Sequence, residues 1–461
     1  MTSCPGVHDY SPFAPPSYSV LRLKTLAQNL RRSATSGGFL AKAARLASGH
    51  ATGYAVTLAI SPLLARLYGP EAFGLYALFV LAISSLGPVA TLRFDQTIPL
   101  AAGRRASGVL ATLALVAAVS VTVAGVVLGE LATAMLHHGR SASSWVLLVP
   151  LVADGVLCFT MYQIVAGLLL GEARYRELAR MRVTYALVAA GTHLTIPLVI
   201  GPTLLGLPAG QAVGFAAAAI YGSVQLKRLG SVRLPLAVRT LVRYAQRYRQ
   251  FAVFGVPAAV VSNLGIHAPA LLLTAMYNLE AAGVYALAQR VFTSPLTLVT
   301  NSFSRTFLAE ARAGRLPELF RSAAKGAILL TAPPIAVVAI VAPWLFSLVF
   351  GAEWTAAGWV CTLLSPMAIS LVLAQVVSPT FDIAGMQALR LKRETQCTAL
   401  VGMGIGAAYV AGLPYLAAIA GASVGATLGY ALLVTSAANY ARQSASSQGI
   451  SVAPAPLGEA A

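Results

Sequence analysis

Apolar and polar positions alternate along this chain in blocks rather than in short periods. Near the start, two apolar stretches at 47–64 and 73–92 flank a polar turn at 66–71. Each stretch approaches the roughly 20 residues that cross a bilayer as a helix, and so short a turn makes the pair antiparallel. The same block pattern predicts twelve spans, near 46–65, 72–92, 108–129, 145–170, 182–201, 204–226, 252–276, 282–304, 324–350, 355–381, 396–413 and 415–438. The fifth and sixth are parted only by Pro202-Thr203-Leu204, and the last two only by Pro414.

The opening pattern returns 209 residues later. Tyr68, Glu71, Gly74, Tyr76 and Leu78 align without gaps on Tyr277, Glu280, Gly283, Tyr285 and Leu287, and Phe94 and Thr97 fall on Phe303 and Thr306. An apolar chain gives chance matches of alanine, leucine and glycine more easily than it gives tyrosine, glutamate, glycine and tyrosine in register at a polar turn. Two homologous halves follow. The spans before both turns face the same way, so the repeat is a parallel one. The expected division is a tail at 1–45, an N-lobe at 46–226, a linker at 227–250, a C-lobe at 251–440 and a second tail at 441–461.

Composition agrees with a polytopic, all-helical membrane protein. Hydrophobic residues make up 57% and charged residues 10%, with a mean hydropathy of +0.76, where a soluble domain carries about 25% charged residues. Twenty-nine of the 32 lysines and arginines fall in tails and loops on one side; only Arg66 and Arg140 fall on the other, and Arg290 lies within a span. This asymmetry puts both termini in the cytoplasm. It also explains the net charge of +18 without nucleic acid, because the basic residues are spread over seven membrane-facing segments. Within the linker, 236–249 reads as a basic amphipathic helix lying on the membrane face and held by anionic lipid. The four cysteines, Cys4, Cys158, Cys361 and Cys397, form neither a disulfide framework nor a zinc motif. The N-terminal tail lacks the apolar core of a signal peptide.

Three stretches then carry a resemblance: Ala47-Ser48-Gly49, Ser61-Pro62-Leu63-Leu64-Ala65-Arg66-Leu67-Tyr68, and Pro70-Glu71-Ala72-Phe73-Gly74. Leu92-Arg93-Phe94-Asp95 closes the motif, with weaker echoes at 174–180 and 382–387. On these the chain resembles the polysaccharide-biosynthesis flippases of the multidrug/oligosaccharidyl-lipid/polysaccharide exporter superfamily. His50 stands where that family usually has a small residue. The resemblance implies two six-helix lobes around a central cavity that opens to alternate sides of a bacterial inner membrane. It implies a polyprenyl-pyrophosphate-linked oligosaccharide as cargo, and a polysaccharide polymerase and glycosyltransferases as pathway partners. A cation-coupled multidrug antiporter or a peptidoglycan-precursor flippase of the same superfamily stays open as an alternative, since fold alone does not separate them.

Such a carrier makes no bond, so no catalytic residue or cofactor is expected. It needs cationic donors for pyrophosphate in a wet cavity and polar groups for sugars, and ionisable residues within spans are scarce. Arg290 is either a substrate group or half of a structural ion pair; Gln289 sits beside it. His267 and Asn263 lie one turn apart between Pro257 and Pro269, in a helix of the kind that lines transporter cavities. Asp154, the one mid-span carboxylate, is a candidate to couple a proton or sodium ion or to neutralise Arg290, and Arg93 with Asp95 is a candidate gate pair. Gly421-Ala422-Ser423-Val424-Gly425 matches a hydrolase elbow in letters only, because it lies in an apolar span rather than at a strand-to-helix turn. His137-His138 lacks a third metal ligand, and no phosphate-binding loop with Gly-Lys-Ser/Thr occurs.

Overall fold

A computed structural model describes residues 39–101, 103–136, 145–228, 237–311, 316–384 and 386–447. The first 38 residues, the His137-His138 loop, the 229–236 part of the linker and the end of the C-terminal tail fall outside them. Among the described residues there is helix and no strand. The long helices are α1 (Phe39–Thr91), α3 (Arg104–Leu136), α4 (Trp145–Gly171), α5 (Tyr175–Ile200) and α6 (Gly206–Arg228), with short α2 (Phe94–Thr97) between the first two. They continue with α7 (Val238–Arg247), α8 (Val256–Met276), α9 (Leu279–Ala311), α10 (Leu316–Phe350) and α11 (Thr355–Val377). Short α12 (Pro379–Ile383) precedes α13 (Gln387–Val410) and α14 (Tyr415–Ser447).

Nine helical segments among the described residues are long and apolar enough to cross a membrane. The first of these is α1, which is two spans in one. Gly69 breaks it with φ 68° and ψ 173°, a conformation open essentially to glycine alone, and Pro70 starts the second arm with its φ already helical. Counting the two arms separately and adding α9 and α13, whose polar residues lower their hydropathy, gives the twelve expected spans in two six-helix lobes. The polar turn expected at 66–71 is thus a single-residue break inside continuous helix. Gly201 (φ 86°) and Gly412 (φ 68°) sit at the two boundaries that prolines alone had marked.

One helix starts earlier than its hydropathy suggests. The fifth span is expected from 182, but α5 begins at Tyr175, after a left-handed Ala173 (φ 55°) turns the chain back. Arg182, expected in a loop, therefore sits two turns inside a helix. The linker helix α7 has no buried residue; Arg239, Arg243 and Arg247 are exposed, while Tyr244 and Tyr248 pack on the N-lobe core beside α3.

Between the lobes α1 makes most of the packing, against α8, α9 and α10. Its second arm crosses α9 where Gly74 meets Gly283. At the end of the bundle carrying Gly69, Phe73 meets Trp354 edge-on at 5.1 Å, and the Trp354 indole donates to the Ala65 carbonyl at 3.1 Å. Arg66 reaches across to donate to the Val349 and Leu348 carbonyls at 3.1 and 2.7 Å, capping the C-terminus of α10. The basic loops lie at the other end.

Candidate functional site

A cavity of about 340 Å³ opens inside the N-lobe, between both arms of α1 and helices α4, α5 and α6. Helix α5 supplies one wall as a stripe. Arg182, Tyr185, Ala189 and His193 recur at three- and four-residue intervals and so share a face, and small alanines at 186 and 190 beside them leave the space open. Tyr76 of α1 and Gln211 of α6 face each other across it, the tyrosine hydroxyl donating to the amide oxygen at 2.9 Å. Tyr185 stacks on Phe215 at 4.6 Å, and Tyr162 of α4 tilts against both rings. The floor is therefore aromatic and fixed.

Among the described residues, the C-lobe inserts one into this N-lobe cavity, Arg290 of α9. Its guanidinium lies 5.9 Å from the centre of the Tyr76 ring. One terminal nitrogen is buried without a hydrogen-bond partner among the described residues. An unmade hydrogen bond on a buried charged group is expensive, so this nitrogen is a donor in want of an acceptor. Arg182 lies against the Tyr162 hydroxyl on the same lining. Two cations from different lobes thus share one cavity. His193 holds helices together rather than facing a ligand. Its Nε2–H donates to the Leu207 carbonyl at 2.9 Å, and its own carbonyl accepts from the Tyr68 hydroxyl.

The other residues singled out in the sequence fall elsewhere. Asn263, Arg93 and Asp95 come together in a second, smaller cavity of about 180 Å³. Asn263 donates to the Ser84 carbonyl and so bridges the lobes, while Asp95 accepts from the Thr91 hydroxyl at 2.7 Å. Arg93 and Asp95 form no ion pair with each other there. His267 is half-buried on α8 and lines neither cavity; Gln289 is half-buried beside Arg290, also outside the lining. Asp154 is exposed on α4, where the Cys158 thiol approaches it at 3.7 Å, and no ion pair joins it to Arg290. Among the described residues no His/Cys/Asp/Glu group could hold a metal ion.

Hydropathy does not single out Arg182, Tyr76, Tyr162, Tyr185 or Gln211. A signal for Arg182 is present in the spacing from Arg182 to His193, but it needs the helix to start at Tyr175. Tyr76 stands inside the repeated motif, where its partner Tyr285 is a buried core residue.

Comparison with solved structures finds the same fold in several transporters. A lipid II flippase, MurJ, in an inward closed conformation aligns with a TM-score of 0.67 at 12% identity, over 88% of this chain and 91% of that one. An inward-facing multidrug resistance MATE family transporter of the MOP superfamily aligns with a TM-score of 0.58 at 14% identity, over 88% and 96%. A MOP superfamily transporter from Pyrococcus furiosus aligns with a TM-score of 0.55 at 14% identity, over 89% and 96%. At such identities the likeness is one of fold. Comparison with curated proteins finds no sequence match. The family described as polysaccharide biosynthesis protein matches residues 63–358, from the first arm of α1 to the start of α11. The chain belongs to the polysaccharide biosynthesis protein family, on the fold of the MOP superfamily.

Proposed function

We propose that this protein is a flippase, not an enzyme, that moves a polyprenyl-pyrophosphate-linked oligosaccharide from the cytoplasmic to the outer leaflet of a bacterial inner membrane by alternating access. Both termini lie in the cytoplasm. The observation that carries the reading is the joint placement of Arg290 and Arg182. Arg290 is eleven residues into α9, about 16 Å along it, and Arg182 seven residues into α5, about 10 Å. Both lie in helices that cross a hydrocarbon core about 30 Å thick, where a cation is costly, and Arg290 keeps a buried nitrogen without a hydrogen-bond partner among the described residues. A pyrophosphate supplies that partner, and a guanidinium fork fits its oxygens two at a time. The cation-lined cavity repels the cationic drugs of a multidrug antiporter.

The headgroup carries about two negative charges, and each gains roughly 2.3 kcal/mol in moving outward across 100 mV, inside negative. Membrane potential thus favours export, with a proton or sodium ion available to reset the empty carrier. The cargo comes from glycosyltransferases and passes to a polysaccharide polymerase. A peptidoglycan precursor has the same diphosphate chemistry, and the fold shared with a lipid II flippase favours it as the second reading.

The test is surface-glycan complementation in a strain lacking this protein, with membrane abundance measured beside it. Arg290→Ala and Arg182→Ala are expected to abolish export at normal abundance. Arg290→Lys should keep part of it, because the charge survives and the fork does not. Normal export by both alanine variants would sink the reading. Rescue of a strain depleted of its peptidoglycan-precursor flippase would favour the second one.

A further inference from the structure

The second cavity lies next to the first along the same helix face. Tyr76 and Val80 line the cavity around Arg290; Ser84, Pro88 and Thr91, each one turn further on, line the smaller one. From Val80 to Ser84 is about 6 Å. The smaller cavity is strongly polar. Arg93, Asp95 and Thr91 come from the end of α1 and the start of α2, Gln163 and Phe159 from α4, and Asn263 from α8 of the other lobe.

These groups retain hydrogen-bonding capacity. Asp95 engages one carboxylate oxygen, with Thr91. Asn263 uses one amide hydrogen, on the Ser84 carbonyl, which leaves its oxygen and second hydrogen. Neither Arg93 nor Gln163 has a side-chain hydrogen bond or ion pair among the described residues. The backbone that presents Arg93 and Asp95 is strained. Leu92 and Arg93 both take left-handed conformations (φ 50° and 61°), uncommon for residues with a Cβ. Two turn bonds, Leu92 N–H to the Val89 carbonyl and Arg93 N–H to the Pro88 carbonyl, hold them there. Strain of this kind persists where surrounding structure enforces it, and it clusters at ligand clamps.

We propose that the smaller cavity is a sugar subsite, which takes the pyranose attached to the diphosphate while the Arg290 cavity takes the diphosphate; this rests on the function proposed above. The mixture of charges selects the ligand class. An anion there would meet Asp95, and a bare cation would meet Arg93. A neutral polyol satisfies both, donating hydroxyl hydrogens to Asp95 and the amide oxygens and accepting from Arg93 and the amide nitrogens. Phe159 offers an apolar wall to the C–H face of the ring. Because Asn263 belongs to the other lobe, a bound sugar is held across the interface on which alternating access turns.

The experiment uses the full-length protein in lipid nanodiscs and two probes, polyprenyl diphosphate and the same lipid bearing a single hexose. The wild type is expected to bind the hexose-bearing probe about tenfold tighter, the gain that one or two net hydrogen bonds carry. Asp95→Asn and Gln163→Ala are expected to remove most of that difference and leave the bare diphosphate lipid unchanged. Gln163→Ala carries the test if Asp95→Asn fails to fold, since the Gln163 side chain has no hydrogen-bond partner to lose among the described residues. Equal wild-type affinity for the two probes overturns the proposal, as does an equal loss for both probes in the variants or no loss at all. Arg290→Ala should weaken both probes alike. If it weakens neither, the diphosphate assignment of the larger cavity fails, and the sugar subsite is still decided by Gln163→Ala.

Discussion

Gly74 and Gly283 pack against each other across the lobe interface, and they occupy the same position in the two halves, 209 residues apart. A Cβ on Gly74 would overlap the Leu279 carbonyl; a Cβ on Gly283 would overlap the Pro70 carbonyl. Pro70 and Leu279 are themselves 209 residues apart, so the contact is reciprocal. A pseudo-two-fold axis passes between the two glycines, as a parallel repeat requires. Both obstacles are backbone atoms, which no side-chain rotation clears.

Gly74→Ala and Gly283→Ala should each destabilise the protein by about 1–3 kcal/mol, the range for overpacking a tight contact. Gly125→Ala is the control, because a Cβ there meets nothing within 4 Å. It should be neutral or slightly stabilising, since alanine favours helix over glycine by about 1 kcal/mol. Thermal melting of the purified protein checks this. Equal melting temperatures for Gly74→Ala and Gly125→Ala would contradict the close crossing.

Arg66 and the last turn of α10 form a clasp at the end of the bundle opposite the basic loops. Its two bonds to the Leu348 and Val349 carbonyls join the lobes there, and Trp354 adds a third to Ala65. Arg66→Ala should shift the protein toward a conformation parted at that end. Spin labels at Glu71 and Ala352, both exposed, read the separation. A distance distribution that does not lengthen in the variant rules out the clasp.

Tyr76 holds Arg290 by its ring and Gln211 by its hydroxyl. Tyr76→Phe keeps the ring and should retain most export. Tyr76→Leu removes the aromatic face, worth about 0.5–2 kcal/mol to a cation, and should lower export by about tenfold. If phenylalanine and leucine behave alike, the ring is not what positions Arg290.

Sidedness is checked by cysteine labelling from outside intact cells. A cysteine at Asn278 should react and one at Arg243 should not; both positions are exposed. Labelling at Arg243 would overturn the orientation and place the linker helix on the wrong side.

The sequence by itself determined the class, the number of spans, their repeat and the basic asymmetry of the loops. Hydropathy is summed along a segment, and a bilayer asks little more of a segment than length and apolarity. The repeat was legible because Tyr68, Glu71 and Tyr76 are rare letters in an apolar chain, and the structure gives their spacing a meaning at Gly74 and Gly283. Of the site, Arg290 stood out because a cation in a span is rare.

Only the tertiary structure decided which faces of the helices meet. In a soluble helix the polar stripe marks solvent and the apolar stripe marks the core. Here lipid and core are both apolar, so α4, which has no polar stripe, gives no sign that Tyr162 faces a cavity while Asp154 faces away. Helix ends set by backbone turns were equally hidden. The left-handed Ala173 starts α5 early and carries Arg182 into the cavity, and the left-handed Leu92 and Arg93 bring Asp95 beside Asn263. Those placements depend on contacts between segments far apart in the chain, and local hydropathy holds no record of them.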